Sequence, residues 1–255
     1  METYRIFALR YAGPFVRTEA FLLWLGDCDK TEEIYYYLWL IRGGGEDIVV
    51  DAGVGPELAA EKDLRGYVSP ARVLAGIGVD ATRVKHVILT HLHWDHMDGS
   101  PLFPRATFYV QRREFDFWQK DPALDNPALA ALAARPALRY LADLEGTERL
   151  VLLEGEEEIL PGVRCLPAPG HTPALQAVAV ETEKGRAVLG SDCGHVFRNY
   201  RESRPSCLIC DLPGWLRSFE SLKERVSSPE LLFPGHDKRM SAAYPREAEG
   251  VWRLA

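Results

Sequence analysis

Four side chains able to bind a divalent cation crowd into six positions of this chain: His91, His93, Asp95 and His96, in Thr90-His91-Leu92-His93-Trp94-Asp95-His96. They follow the apolar run Val87-Ile88-Leu89, which places them at the C-terminal end of a strand. His91 and His93 are two residues apart, so in extended backbone both imidazoles lie on one face and can share one ion. Asp95 and His96 come as the chain turns away, offering an oxygen and a nitrogen to a neighbouring ion. Imidazole nitrogens mixed with carboxylate oxygens suit zinc or another borderline divalent metal. A lone histidine at a strand end is commonly an ordinary polar residue. Four such groups buried together without an ion would be costly.

Three more candidates lie far away in sequence. His171 sits in Ala168-Pro169-Gly170-His171-Thr172-Pro173, Asp192 follows the apolar run Ala187-Val188-Leu189, and His236 sits in Pro234-Gly235-His236-Asp237 after Leu231-Leu232-Phe233. Each falls at the end of a predicted strand, where functional loops gather. Five of the chain's seven histidines belong to this set.

The elements that must hold these residues alternate between strand and helix. Tyr4 to Arg10, Ile34 to Ile41, Asp47 to Asp51, Val84 to Thr90 and Ala106 to Gln111 read as strands from their β-branched and aromatic content. Ser69-Pro70 reads as a helix start, giving a helix over 70–77 that Gly78 stops. Residues 112–145, rich in Ala, Leu and Arg and broken by prolines, read as a helical insertion. In the second half, Leu150 to Leu153, Val163 to Leu166, Ala177 to Glu181, Ala187 to Gly190 and Leu231 to Phe233 read as strands, with a helix from about Pro213 to Val226. Two strand groups with helices around them predict an α/β chain of two packed sheets covered outside by helices, in a single domain over residues 1–255.

Composition narrows the function. Hydrophobic residues make up 47% and charged residues 26%, as in a globular enzyme, and the formal net charge of −7 argues against a nucleic-acid partner. The N-terminus has no secretory pattern, no apolar run is long enough to span a bilayer, and five cysteines are an odd number for an exported chain. A cytoplasmic setting is the expectation. Cys207 and Cys210 form a CxxC without a second pair, and read as free thiols.

The run His-Leu-His-Trp-Asp-His with Pro-Gly-His at 171, Asp192 and Pro-Gly-His-Asp at 236 resembles the metallo-β-lactamase superfamily along its length. The resemblance implies an αββα sandwich with a dinuclear centre at one edge. His91, His93 and His171 would bind one ion, Asp95, His96 and His236 the other, and Asp192 would bridge. Asp51, in Val49-Val50-Asp51-Ala52-Gly53, matches an aspartate that holds the ligands in place. Within the superfamily the chain is similar to the N-acyl-homoserine-lactone lactonases, through Tyr4 to Tyr11, Tyr37 to Ile41 and the Asp192-to-His236 segment with its Asn199. One departure stands out: that family carries a tyrosine three residues after the bridging aspartate, and here the position is His195.

The implied reaction opens a lactone ring. Two divalent ions would bring a shared water to a pKa of about 7, Asp95 would relay its proton to the leaving oxygen, and His195 would orient the carbonyl or protonate that oxygen. Zinc is favoured, with iron and manganese open to the same donors. Trp24, Trp94, Phe197 and Asn199 are candidates to contact the substrate, while Trp39 reads as core. A glyoxalase II-like thioester hydrolase is the first alternative, disfavoured by the short segment after His236. A non-catalytic metabolite-binding protein is the second, disfavoured by the intact ligand set. A homodimer joined through residues 112–145 is the expectation for assembly.

Overall fold

The computed structural model describes residues 2–255. Strand β1 (Arg5–Thr18) leads through α1 (Glu19–Leu22) to β2 (Thr31–Gly43) and β3 (Glu46–Val50). Helices α2 (Pro56–Glu61) and α3 (Pro70–Ala75) precede β4 (His86–Ile88) and the short α4 (Trp94–Met97). After β5 (Thr107–Gln111) come α5 (Arg112–Lys120), α6 (Pro127–Ala130) and α7 (Arg135–Ala142), then β6 (Leu150–Leu153). The chain continues with β7 (Glu157–Leu160), β8 (Val163–Pro167), β9 (Gln176–Thr182) and β10 (Gly185–Ser191). It ends with α8 (Phe197–Glu202), α9 (Leu212–Arg225), β11 (Leu232–Pro234), α10 (Arg239–Ala242), β12 (Arg246–Ala248) and β13 (Val251–Arg253).

The strands form an eight-stranded sheet, β12-β13-β1-β2-β3-β4-β5-β6, and a five-stranded sheet, β11-β10-β9-β8-β7. From β3 to β6 the first sheet is parallel, so the ends of β3, β4 and β5 open on the same side. That edge is where the loops carrying the candidate ligands leave the sheet.

Alternation along the strands builds the layers. Ile6 and Ala8 of β1, Tyr37, Trp39 and Ile41 of β2, and Ile48 and Val50 of β3 face Val163, Cys165, Val178, Val180, Ala187 and Leu189 of the other sheet. Their neighbours Phe7, Leu9, Leu38, Leu40 and Val49 point the other way, beneath α3, α5 and α7. On the far side Ala177, Ala179, Val188 and Leu232 receive Trp215, Phe219 and Leu222 of α9. Three apolar layers between two sheets and their helices make the αββα sandwich. Trp39 is fully buried between the sheets, as the sequence suggested.

Several boundaries move. β1 and β2 extend well past the predicted ends as a long antiparallel ribbon, whereas β4 is only His86–Ile88 because its C-terminal residues leave the ladder for the site. The Ser69-Pro70 helix stops at Ala75, and Ser69 makes no side-chain cap. β7, β12 and β13 have no counterpart among the predicted strands. Leu150–Leu153 pairs in parallel with β5 and so completes the first sheet, although the sequence grouped it with the second-half strands. The insertion at 112–145 is the crossover that carries the chain from β5 to β6, a connection parallel pairing requires. No helix among the described residues is long and apolar enough to cross a membrane.

Candidate metal centre

The parallel pairing of β3 and β4, with Val50 beside Ile88, puts Asp51 next to Thr90. Asp51 has left the strand with φ 62, a left-handed conformation that is strained for a side-chain-bearing residue. The backbone N–H of Thr90 donates to Asp51 Oδ1 (2.8 Å) and its hydroxyl to Oδ2 (3.0 Å). His96 Nδ1 lies 2.7 Å from the same Oδ2. The aspartate expected to hold the ligands is therefore buried and bonded directly to one of the candidate ligands, His96.

Each imidazole but one is anchored by its outward nitrogen. His91 Nδ1 meets the Thr90 hydroxyl at 3.1 Å, His171 Nδ1 the Leu208 carbonyl at 3.1 Å, and His236 Nδ1 the Tyr35 carbonyl at 2.9 Å. These bonds, with Asp51 on His96, leave the Nε2 atoms facing inward. His93 instead offers Nδ1, 2.9 Å from His171 Nε2. Leu208 lies in the Cys207–Cys210 loop, whose two thiols are free and exposed, and its carbonyl orients the candidate ligand His171.

The Pro-Gly-His repeats have a steric basis. A Cβ at Gly170 would collide with Trp215, and one at Gly235 with the Asp192 carboxylate, so both histidines need glycine before them.

The inward atoms converge. Ligand atoms of His91, His93 and His171 lie within 4.8 Å of one another, as do those of His91, His96 and Asp192 and those of Asp95, His96 and His236. Asp192 Oδ1 is 3.0 Å from His236 Nε2 and 3.5 Å from His96 Nε2, while its Oδ2 is 3.5 Å from His171 Nε2. One carboxylate thus faces both histidine groups. His91 Nε2 and His96 Nε2 are buried without a hydrogen-bond partner among the described residues. Orphaned polar atoms aimed at a common centre are what a pair of cations would satisfy. The donors fit the group.

The electrostatics divide the histidines. Burial, helped by neighbouring imidazoles, holds His91 and His93 well below the ordinary histidine value. Burial also pushes His96 and His236 down, but Asp192 and Asp95 outweigh it and hold both above that value, with Asp51 adding to the effect on His96. In the ion-free protein those two histidines hold their second proton to higher pH than an ordinary histidine, so a bound ion competes with it. Zinc uptake should therefore release protons, and affinity should fall as pH drops through the raised values of His96 and His236. Calorimetric titration of apoprotein in buffers of different ionisation enthalpy reads this directly; a binding heat independent of buffer would contradict it.

The remaining candidates part ways. His195 belongs to the cluster, its Nε2 3.4 Å from Asp192 Oδ2 and its ring 5.1 Å from that of His171. Burial pushes it down to about 3, so it is neutral at physiological pH and lacks the proton to serve as a general acid there. Trp94 flanks Asp95, packs edge-on against Tyr36 at 5.7 Å, and lines a cavity of about 790 Å³ with Leu58, Leu102 and Ala130. Trp24 is partly exposed, and its carbonyl accepts from Arg204. Phe197 faces elsewhere: Arg239 covers its ring at 4.2 Å beside a separate cavity. Asn199 has no free amide, since Oδ1 accepts from Val196 N–H and Nδ2 donates to the Leu22 and Arg204 carbonyls, all at 2.7 Å. Its role is to cap α8, not to meet a substrate.

Sequence reasoning missed other contributors. Tyr36 of β2 packs 5.2 Å from the His236 ring, and Phe21 of α1, the helix joining β1 to β2, packs 6.1 Å from His195. Tyr11 donates its hydroxyl to the Asp95 carbonyl at 2.5 Å. Aromatic residues on alternating strands carry no local mark distinguishing core from site.

The profile of the metallo-beta-lactamase superfamily matches residues 34–236. An N-acyl homoserine lactonase of a Bacillus species is 30% identical over 218 residues, spanning 79% of this chain and 80% of the relative. A Rhizobium radiobacter N-acyl homoserine lactonase is 24% identical over 237 residues, with shares of 85% and 87%. Among solved structures, an N-acyl homoserine lactone hydrolase with N-hexanoyl-L-homoserine at its catalytic metal centre superposes with a TM-score of 0.78 at 20% identity, covering 96% of this chain and 98% of that one. A dizinc quorum-quenching lactonase superposes with a TM-score of 0.69 at 18% identity, covering 92% and 88%. At such identities these superpositions speak to the fold. With the sequence matches, they show that the chain belongs to the metallo-β-lactamase superfamily and, within it, to the N-acyl homoserine lactonase family of metal-dependent hydrolases.

Proposed function

We propose that the protein hydrolyses the ester bond of a lactone ring, with N-acyl-homoserine lactones as the first substrates to consider. The observation that carries the reading is the complete donor set of His91, His93, His171, Asp95, His96 and His236 facing across Asp192. Two divalent ions held there, zinc by preference, supply an acidified water and Lewis-acid polarisation of the carbonyl.

The chain's own groups complete the chemistry. The Asp95 carboxylate keeps some exposure, and its Oδ2 lies 3.7 Å from His96 Nε2, so it can take the attacking water's proton. As the new carbon–oxygen bond forms and the ring carbon–oxygen bond breaks, that proton passes to the leaving alkoxide, giving a hydroxy acid. His195, neutral and beside Asp192, donates a hydrogen bond where relatives have tyrosine; the proton itself comes through Asp95. Trp94, next to Asp95 in sequence, also lines a cavity whose Leu58 and Leu102 offer an acyl tail apolar surface, with Glu57, Glu61, Lys62, Asp98 and Arg135 on the same lining.

The test is a substrate panel: acyl-homoserine lactones, γ- and δ-lactones, aromatic lactones and a glutathione thioester, with metal content measured on the same sample. Turnover of acyl-homoserine lactones is expected and would make the protein quorum-quenching. Activity confined to another ring would keep the reaction and move the substrate. Cleavage of the thioester alone would overturn the lactonase reading while keeping the dinuclear centre.

A further inference from the structure

Glu114 is fully buried on the first turn of α5, just beyond the end of β5, and touches none of the ligand side chains described above. Its Oε1 accepts from the Leu92 N–H at 3.2 Å and from Trp118 Nε1 at 2.8 Å. Its Oε2 accepts from the Thr172 hydroxyl at 2.8 Å and the Ala174 N–H at 3.0 Å. Leu92 lies between His91 and His93, and Thr172 follows His171. One carboxylate therefore ties together the two loops whose histidines form one half of the centre. A second tie runs through Trp118, whose ring packs edge-on against His93 at 5.4 Å while its N–H is held by Glu114.

We propose that Glu114 is the positioning residue of the His91/His93/His171 half-site, setting the separation of His93 from His171 so that they share one ion. The four groups around the carboxylate all point hydrogens at it, an arrangement suited to the ionised form. Burial holds this carboxyl above the ordinary carboxylate value, and the bonds from Thr172, Trp118, Leu92 and Ala174 oppose that rise without cancelling it. The other half-site is held differently, with His96 on Asp51 and His236 on the Tyr35 carbonyl. Loss of Glu114 should therefore weaken one ion and spare the other, which a general loss of stability would not do.

The inference rests on the dinuclear reading of the centre, not on which ester is hydrolysed. Glu114→Gln keeps the shape but turns an amide N–H₂ toward two donors. Cobalt(II) titration of apoprotein, followed by its visible d–d absorption, reads the two sites separately, and thermal unfolding of the apoprotein reads the fold. The expected result is an ion at His91/His93/His171 bound about 10- to 100-fold more weakly, with the other ion's affinity and the apoprotein melting temperature little changed. Thr172→Val, which deletes one of the four bonds, should give a smaller loss at the same site and serves if Glu114→Gln does not fold. Unchanged affinity at both sites overturns the proposal, as does an equal loss of both ions that tracks a lowered melting temperature. A wild-type protein that takes up no cobalt overturns it together with the metal assignment, whereas two ions bound without lactone turnover leaves it standing.

Discussion

His91→Ala is expected to remove most of the bound metal and to abolish lactone hydrolysis while leaving the protein folded. The His91 ring is fully buried in the centre, 4.6 Å from His93, 4.2 Å from His96 and 5.1 Å from His171, so its Nε2 serves the site and little else. Among the described residues, its side chain's one hydrogen bond is to the adjacent Thr90 hydroxyl. Removing it therefore costs the centre a ligand and the fold one local hydrogen bond. Metal ions contribute several kcal/mol to such reactions; with about 1.36 kcal/mol per decade of rate, kcat/KM should fall by at least about 10³-fold. Metal analysis, circular dichroism and lactone turnover on one preparation would check all three parts. Chelation of the wild-type protein should reproduce the loss, and added zinc, cobalt or manganese should reverse it. Full activity in metal-free protein would falsify the proposed reaction.

The second large effect is expected at a residue that binds no ion. Asp51→Asn leaves the backbone at φ 62 tolerable, since asparagine enters the left-handed region more readily than most residues. The amide cannot accept from the Thr90 N–H, the Thr90 hydroxyl and His96 Nδ1 all at once, as the carboxylate does at 2.8, 3.0 and 2.7 Å. With a donor opposite Nδ1, His96 is driven to the tautomer protonated on Nε2, the atom that faces Asp95 and Asp192. Metal affinity at the Asp95/His96/His236 site should fall by about 10- to 100-fold, and activity with it. Competition against a chromophoric chelator measures the affinity. A variant that holds both ions as tightly as wild type would show that Asp51 does not set the tautomer of His96.

These two residues also illustrate what could be read in advance. His91, His93, Asp95 and His96 are legible because one strand end and one turn place them, and local spacing is preserved in any fold of the segment. His171, Asp192 and His236 are legible because each follows an apolar strand, with Pro-Gly ahead of both histidines. Asp51 emerged only through family resemblance, since an aspartate after Val49-Val50 could end any strand.

Glu114, by contrast, is one of two acidic residues on the amphipathic α5, the other being Asp116. Apart from Trp118 on the same helix, its partners lie 22, 58 and 60 residues away, and nothing local separates a solvated glutamate from one receiving four bonds. The surroundings of Phe197 and Asn199 were illegible for a related reason. Both residues sit close in sequence to His195, yet α8 turns one ring toward Arg239 and closes the other side chain on backbone carbonyls. Likewise Leu150–Leu153 has the composition of a strand in either sheet, and only the crossover through residues 112–145 assigns it to the first. Ligand identity is a property of short segments, where chemistry and spacing suffice. The placing of everything that orients those ligands depends on contacts between distant residues, which form only when the two sheets close on their shared core.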